Sequence, residues 1–269
     1  MSKAPYAGST VLVTGATEGI GRACALHLAR AQAKLILGAR STERLEQIAK
    51  ECRDFGAEVL ILPTDVSREI DCQRLVDAGV QRFGRLDTLV CNAGSTMWAR
   101  FEDLHSLEVF SSLFQVNLMG AVHCARHALP ALRASGGRLV AVASAAGMTG
   151  VPERTAYAAS KHALVGFMDS LRVELRGSGV SVTVAAPDFV LTQTHRRAIG
   201  ADGEALGTSP MQEGKLLTAE RCAQMILAAT WARKRLCLTS SRTRLGLLLK
   251  PFLPALLDRI AANAIAQRR

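Results

Sequence analysis

A chain of 269 residues, 49% apolar and 21% charged, has ample material for a sizeable core and excludes the disordered and collagen-like classes, while leaving one large domain or two small ones open. The net charge of +10 argues for a nucleic-acid partner only if it is spread over a recognition surface. Nine Lys or Arg against the single acid Asp258 lie between Trp231 and Arg269, so eight of the ten charges sit at the C-terminal end, without a nucleic-acid-binding module around them.

Seven scattered cysteines, odd in number and without a C-x-x-C pair, argue against a disulfide framework or a structural zinc site. No metal is expected, and the thiols read as small buried residues in a reducing compartment. Met1 to Ser9 lacks the apolar stretch of a signal peptide and no run of 18 uncharged apolar residues exists, so a cytoplasmic location is expected.

The first element is Thr10 to Thr14 (TVLVT), a β-branched apolar run that reads as a buried strand. It ends in the turn Thr14-Gly15-Ala16-Thr17-Glu18-Gly19-Ile20-Gly21, after which Cys24 to Ala31 carries helical spacing and Lys34 begins a second strand. Alternation continues: helix Ser41 to Phe55, strand Glu58 to Pro63, helix Glu69 to Phe83, strand Leu86 to Cys91, helix Leu107 to Leu132. Strand Arg138 to Ala143, helix Ala156 to Arg176 and strand Val180 to Ala186 follow. Strands separated by helices require right-handed crossovers and a parallel sheet covered on both faces. The expected fold is α/β, a Rossmann-type doubly wound parallel sheet in a single domain over residues 7–240, with a C-terminal helical extension over 241–269. The irregular stretch from Asp188 to Leu217 follows a strand's carboxyl end, where ligands bind in open α/β sheets, and reads as a substrate lid.

Glycines between a first strand and a first helix permit a tight turn and close approach of backbone to a pyrophosphate, while the helix N-terminus supplies unpaired N–H groups. Gly15, Thr17, Gly19, Ile20 and Gly21 are therefore candidate cofactor contacts. An acid at the end of the second strand would suit the ribose hydroxyls of NAD; here stands Arg40, followed by Ser41, and an arginine suits the 2′-phosphate of NADP. NADP(H) is the expected cofactor. Glu18, a carboxylate close to that phosphate, works against it.

Tyr157 and Lys161 are spaced i, i+4 and share one helix face; Ser144 lies thirteen residues before the tyrosine at a strand's carboxyl end. A carbonyl that accepts a hydride develops negative charge on oxygen and needs a donor and a proton source already in place. Tyr157 reads as that source, Ser144 as the group that orients the substrate oxygen, and Lys161 as the cation that favours the phenolate in the reverse reaction. His162 lies about 100° around the helix from Lys161 and reads as a packing or surface residue.

The spacing TGATEGIG, with Asp65-Val66, Asn92-Ala93-Gly94, Ser144, Tyr157 and Lys161 in order after it, resembles the short-chain dehydrogenase/reductase family from about Ser9 to Thr192. The resemblance implies adenine contacts from Asp65 and Val66, and ribose and diphosphate contacts from Asn92, Ala93 and Gly94. It implies carboxamide contacts from Pro187, Val190 and Thr192, and ribose contacts from Lys161. Asn117 matches a fourth catalytic residue supporting a water relay to the lysine. The resemblance further implies a homodimer or homotetramer through the helices starting near Leu107 and Ala156. Asp188 departs from the family, which usually has glycine after the proline.

The pocket is expected to be lined by Thr96, Met97, Trp98, Met148, Phe189 and Leu191. This apolar set favours a lipophilic carbonyl or alcohol substrate. In the extension, Leu249, Leu253, Leu256, Leu257 and Ile260 recur at helical spacing with Pro251 and Pro254 near the helix start, among basic residues; it resembles the extension of a membrane-associated group of the family that reduces lipid ketones. Peripheral membrane contact and packing against a neighbouring subunit or the active-site mouth both remain open. So does a redox-sensing or scaffold protein that binds NADP(H) without turnover, although such a protein is free to lose Ser144, Tyr157 or Lys161.

Overall fold

Strand β1 (Thr10–Thr14) is buried along its whole length because both of its faces are covered. Val11 and Val13 point into one apolar layer and Leu12 into the other, the two-residue alternation of a strand between two helical layers. The computed structural model describes residues 4–208 and 216–266. The elements that follow are α1 (Gly19–Arg30), β2 (Lys34–Ala39), α2 (Thr42–Asp54), β3 (Val59–Pro63), α3 (Glu69–Phe83) and β4 (Thr88–Cys91). Then come α4 (Glu108–Phe114), α5 (Gly120–Ser135), β5 (Arg138–Val142), α6 (Thr155–Glu174) and β6 (Ser181–Ala186). The chain continues through β7 (Val190–Leu191), β8 (Leu217–Thr218), α7 (Ala219–Trp231), β9 (Leu236–Leu238), α8 (Ser241–Leu249) and α9 (Pro254–Ala266).

Seven parallel strands form the expected doubly wound sheet in the order β3-β2-β1-β4-β5-β6-β9. Residues of α1, α2 and α7 pack on one face and those of α3, α5 and α6 on the other. Because β1 lies between β2 and β4, connections leave in opposite directions on either side of it. The crevice between the carboxyl ends of β1 and β4 is where such a sheet admits a ligand.

Several boundaries differ from those expected of the sequence. Helix α1 begins inside the glycine turn, at Gly19 rather than Cys24, because the turn glycines themselves enter the helix. The helix expected over Leu107 to Leu132 is two helices joined by a π-helical turn, Gln115–Met119, that accommodates Asn117. Helix α7 and strand β9, which complete the sheet, have no counterpart among the expected elements. The lid expected between Asp188 and Leu217 is bound at its ends by the parallel pair β7 and β8; residues 209–215 of it lie outside the described residues. The single leucine-striped helix expected from Leu245 is two, α8 and α9, parted at 250–253. Proline at 251 and 254 removes the N–H groups a continuous helix would need.

Candidate active site

At the end of β1 the Gly15 N–H donates to the Gly38 carbonyl at 2.8 Å, and the chain turns through positive φ at Gly15 (64°) and Gly19 (51°). A Cβ on Gly21 would lie 2.2 Å from the Gly15 oxygen and 2.4 Å from Asn92 Nδ2, and one on Gly15 would meet Ala93 Cα at 2.8 Å. Any side chain at either position would collide with the turn or the loop after β4 and force the two apart. Asn92 ties the two loops together, donating from Nδ2 to the carbonyls of Thr14 (3.0 Å) and Gly15 (3.2 Å). Thr14 Oγ1 accepts from the N–H groups of Asn92 and Ala93, at 3.0 and 3.1 Å. Glu18, the N-cap of α1, makes no side-chain bond to the helix; Thr17 precedes it in the turn and Ile20 lies in the helix's first turn, while a Cβ on Gly94 would lie 3.0 Å from Asn117 Oδ1 and 3.5 Å from Lys161 Nζ.

Arg40 is exposed at the end of β2 and pairs with no acid among the described residues. Ser41 caps α2, its Oγ accepting the Arg44 N–H at 3.3 Å. Glu18 is engaged by two cations, Arg197 from the lid and Arg44 at 3.6 Å, which offset its charge. Asp65 accepts from Ser67 Oγ at 2.7 Å, and buried Val66 packs where a Cβ on Gly120 would meet it at 2.7 Å. Thr192 lies over Gly19, buried Pro187 accepts the Ala145 N–H at 2.8 Å, and Val190 is buried beside them. The residues expected to hold a dinucleotide thus lie on the segments that follow the carboxyl ends of β1, β2, β3, β4 and β6 and on α6.

The four expected catalytic residues also converge. The Tyr157 ring opens on a cavity, and its phenol takes a hydrogen bond from Ser144. Lys161 is buried, its Nζ donating to the Val142 carbonyl at 2.9 Å and standing 5.9 Å from the Tyr157 ring centroid. Burial works against ionisation of Tyr157, but Lys161, Arg154 and Ser144 outweigh it and hold the phenol below its ordinary value. Burial, aided by Arg154, holds the Lys161 ammonium below its own. Asn117 Nδ2 donates to the Ser95 carbonyl at 3.0 Å and to Ser160 Oγ at 2.9 Å, while Oδ1 accepts the Ser95 N–H at 2.8 Å. Both Nδ2 protons and one lone pair of Oδ1 are thereby committed to structure. His162 is exposed and bonds the Ala158 carbonyl of its own helix.

The cavity beside Tyr157 measures about 280 Å³. Met148 and Phe189 wall it as expected; Thr96, Met97, Trp98 and Leu191 do not. Met97 is sealed in a small core of its own, Leu191 faces solvent, and Thr96 and Trp98 instead hold Arg154. The roof comes from the extension: Leu245, Leu249, Leu257 and Ile260 close over the catalytic residues. Lys250 Nζ pins that roof to the Met148 carbonyl at 2.6 Å.

A family model described as short chain dehydrogenase matches residues 9–201. The chain belongs to this family. A short-chain dehydrogenase from Burkholderia phymatum, solved in complex with NAD, superposes with a TM-score of 0.82 at 28% identity, covering 94% of this chain and 96% of that one. The alcohol dehydrogenase of Thermococcus sibiricus, solved with 5-hydroxy-NADP, gives 0.76 at 28% identity over 86% of this chain and 95% of its own. In sequence, 11-beta-hydroxysteroid dehydrogenase 1A of Arabidopsis thaliana is 34% identical over 258 residues, 93% of this chain and 74% of that protein.

Three residues that matter to the geometry of this short-chain dehydrogenase carry no clear mark in the sequence: Arg154, Arg242 and Lys250. The i−3 spacing of Arg154 before Tyr157 is visible there, but nothing marks an arginine as buried. Arg242 and Lys250 read as parts of a basic tail until the fold brings the tail back.

Proposed function

We propose that this chain is an NADP(H)-dependent oxidoreductase that reduces a carbonyl, or oxidises a secondary alcohol, of a lipophilic substrate. The observation that carries the reading is the phenol of Tyr157, with Ser144 and Lys161 beside it, at the wall of a largely apolar cavity next to a glycine cradle. The cradle fits a dinucleotide because Gly15 and Gly21, with no Cβ to hold the loops apart, let the turn close tightly against Ala93 and Asn92 and leave its backbone bare toward a pyrophosphate. When bound, the nicotinamide supplies the hydride in one direction and accepts it in the other.

Ser144 orients the substrate oxygen beside the Tyr157 hydroxyl. In reduction Tyr157 delivers its proton to that oxygen as negative charge builds there, and in oxidation the phenolate takes the proton from the alcohol. Lys161 favours the phenolate electrostatically, and Asn117 holds the π turn and the 95-loop against α6. Arg40 would pair with the 2′-phosphate, and an exposed guanidinium without an acid partner among the described residues favours NADP over NAD. Leucines of α8 and α9 over the cavity support a lipophilic substrate, and the relative named as a hydroxysteroid dehydrogenase agrees with that class.

The same reading includes a cytoplasmic homodimer or homotetramer, supported by seven free and buried cysteines that suit a reducing compartment and by the family's habit of pairing its long helices. It includes peripheral membrane contact through the extension. A screen of NADPH consumption across ketone classes tests the core of it. Turnover greatest with a steroid-like or long-chain ketone is expected; no NADPH consumption with any carbonyl class, and no NADP reduction with the matching alcohols, would leave only the binding reading.

A further inference from the structure

Arg154 is the N-cap residue of α6 and is only 5% exposed. Its guanidinium carbon lies 4.4 Å from the Tyr157 ring centroid and 5.1 Å from that of Trp98, and its Nη2 donates to Thr96 Oγ1. Lys161 Nζ is farther from the tyrosine ring, at 5.9 Å. The backbone that delivers the arginine is bent: Glu153 just before it has φ of 64°, a left-handed conformation that costs a β-carbon residue roughly 1 kcal/mol. That bend is held by the Ala99 N–H on the Glu153 carbonyl at 2.9 Å and by the Trp98 indole N–H on the Glu153 carboxylate at 2.7 Å. A buried cation over an aromatic face, supported by a strained turn and three side chains, is more than chance surface decoration.

We infer that Arg154 is a positioning residue for proton transfer at Tyr157, fixing the ring between itself and Ser144 and supplying a permanent second positive charge that favours the phenolate. The inference rests on the proton-donor reading of Tyr157. A guanidinium keeps its charge at every pH at which proteins work, whereas the buried Lys161 ammonium is held below its ordinary value and loses its proton earlier. The two cations therefore act differently on the phenol, since Lys161 titrates and Arg154 does not. Lys161 and Arg154 face the phenol from its own helix, Ser144 from the segment after β5, and Thr96 and Trp98 from the 96-loop with Glu153 behind them. From α4 come the apolar Val109, Phe110 and Leu113. Across the cavity, Asp188 is matched by Arg242, Lys250 Nζ is bonded to the Met148 carbonyl, and His195 Nε2 is bonded to the Val190 carbonyl.

The chain contains two tyrosines, which makes the test direct. Tyr6 donates to the Leu227 carbonyl at 2.8 Å, and burial pushes it far up, so it stays silent until strongly alkaline pH. Ultraviolet absorbance of the full-length protein, titrated for phenolate without any substrate, thus reads Tyr157 as its first step. Wild type is expected to titrate below the ordinary tyrosine range, and Tyr157→Phe to lose that step. Arg154→Met is expected to move the step upward by roughly one pH unit, and Arg154→Lys to return most of the shift. Thermal melting reports whether the variants fold, and Arg154→Gln gives the same readout should Met be too disruptive. A step that stays put in Arg154→Met or Arg154→Gln overturns the inference, as does a step that survives in Tyr157→Phe. Because no turnover is measured, failure here and failure of the ketone screen are separate results.

Discussion

Arg242 Nη2 donates to both carboxylate oxygens of Asp188 at 2.9 Å, joining the first turn of α8 to the loop after β6 across 54 residues of chain. Ser240 Oγ adds a third bond at 2.9 Å to the same carboxylate. Asp188 stands where the family usually has glycine, and the structure gives that departure a purpose: it anchors the roof of the cavity to the segment expected to touch the nicotinamide.

The pair is a partly exposed one, with Arg242 at 63%, so its net contribution is on the order of 1 kcal/mol. Asp188→Asn, which keeps the shape and loses the charge, is expected to raise KM for a cavity-filling ketone by about threefold to tenfold, in line with ~1 kcal/mol, and to change kcat less. Steady-state kinetics at saturating NADPH measure it. An unchanged KM would mean that the roof does not depend on this anchor.

For Tyr157 the sign of the pH dependence follows from its position. Held below its ordinary value, it is a phenol at low pH and a phenolate above its pKa. Reduction needs the phenol and is expected to be level at low pH and to fall as pH rises through that value; oxidation needs the phenolate and is expected to rise through it. Tyr157→Phe removes the proton but keeps the ring, so a loss of about a hundredfold or more in turnover is expected with NADPH affinity intact. Lys161→Ala is expected to weaken both. Retention of activity within about tenfold in Tyr157→Phe, roughly 1.4 kcal/mol of barrier, would remove the tyrosine from its role.

Much of this is legible in the sequence for a physical reason. Thr10–Thr14, Glu69–Phe83 and Arg138–Val142 carry periodicities that burial on one or two faces enforces, so their bounds are close to those expected. Gly15 and Gly21 are legible because a close backbone approach leaves no other choice of residue. The π turn at Asn117 is not, since the apolar positions on either side of it each read as ordinary helix and a single wider turn between them is too short to carry a period of its own. Nor is the fold-back of the extension: the leucines of α8 and α9 are the same whether they cover a cavity, a subunit or a bilayer. Thr96 and Trp98 adjoin the catalytic motifs in sequence, which suggests a place in the pocket wall, but both are consumed in holding Arg154.

Cofactor choice turns on Arg40 and on Glu18. With Glu18 held between Arg44 and Arg197, its charge is offset and the approach of a 2′-phosphate to Arg40 is open. A charge-assisted pair of this kind contributes about 1.5–3 kcal/mol, roughly tenfold to a hundredfold in affinity. Fluorescence titration is expected to give NADPH that advantage over NADH in wild type and to give NADH the advantage in Arg40→Asp. Equal affinity in wild type would refute the assignment.

The extension presents two different faces. Leu249 and Leu257 turn toward the cavity, whereas Leu248 and Phe252 are 70% and 78% exposed, with Arg244, Lys250 and Arg259 nearby. Cations at an anionic bilayer contribute about 1 kcal/mol each and inserted apolar side chains add to that, enough for reversible docking. No helix among the described residues is long and apolar enough to cross a membrane. A version ending at Ser241 removes both faces and separates them by assay. Without vesicles, the truncated protein is expected to bind NADPH like the full chain but to lose ketone turnover, because the cavity has no roof. With anionic vesicles, the full chain alone is expected to co-sediment, and added salt is expected to release it. Equal, salt-insensitive sedimentation of both forms would rule out membrane docking while leaving the roof intact, and full ketone turnover by the truncated form would rule out the roof.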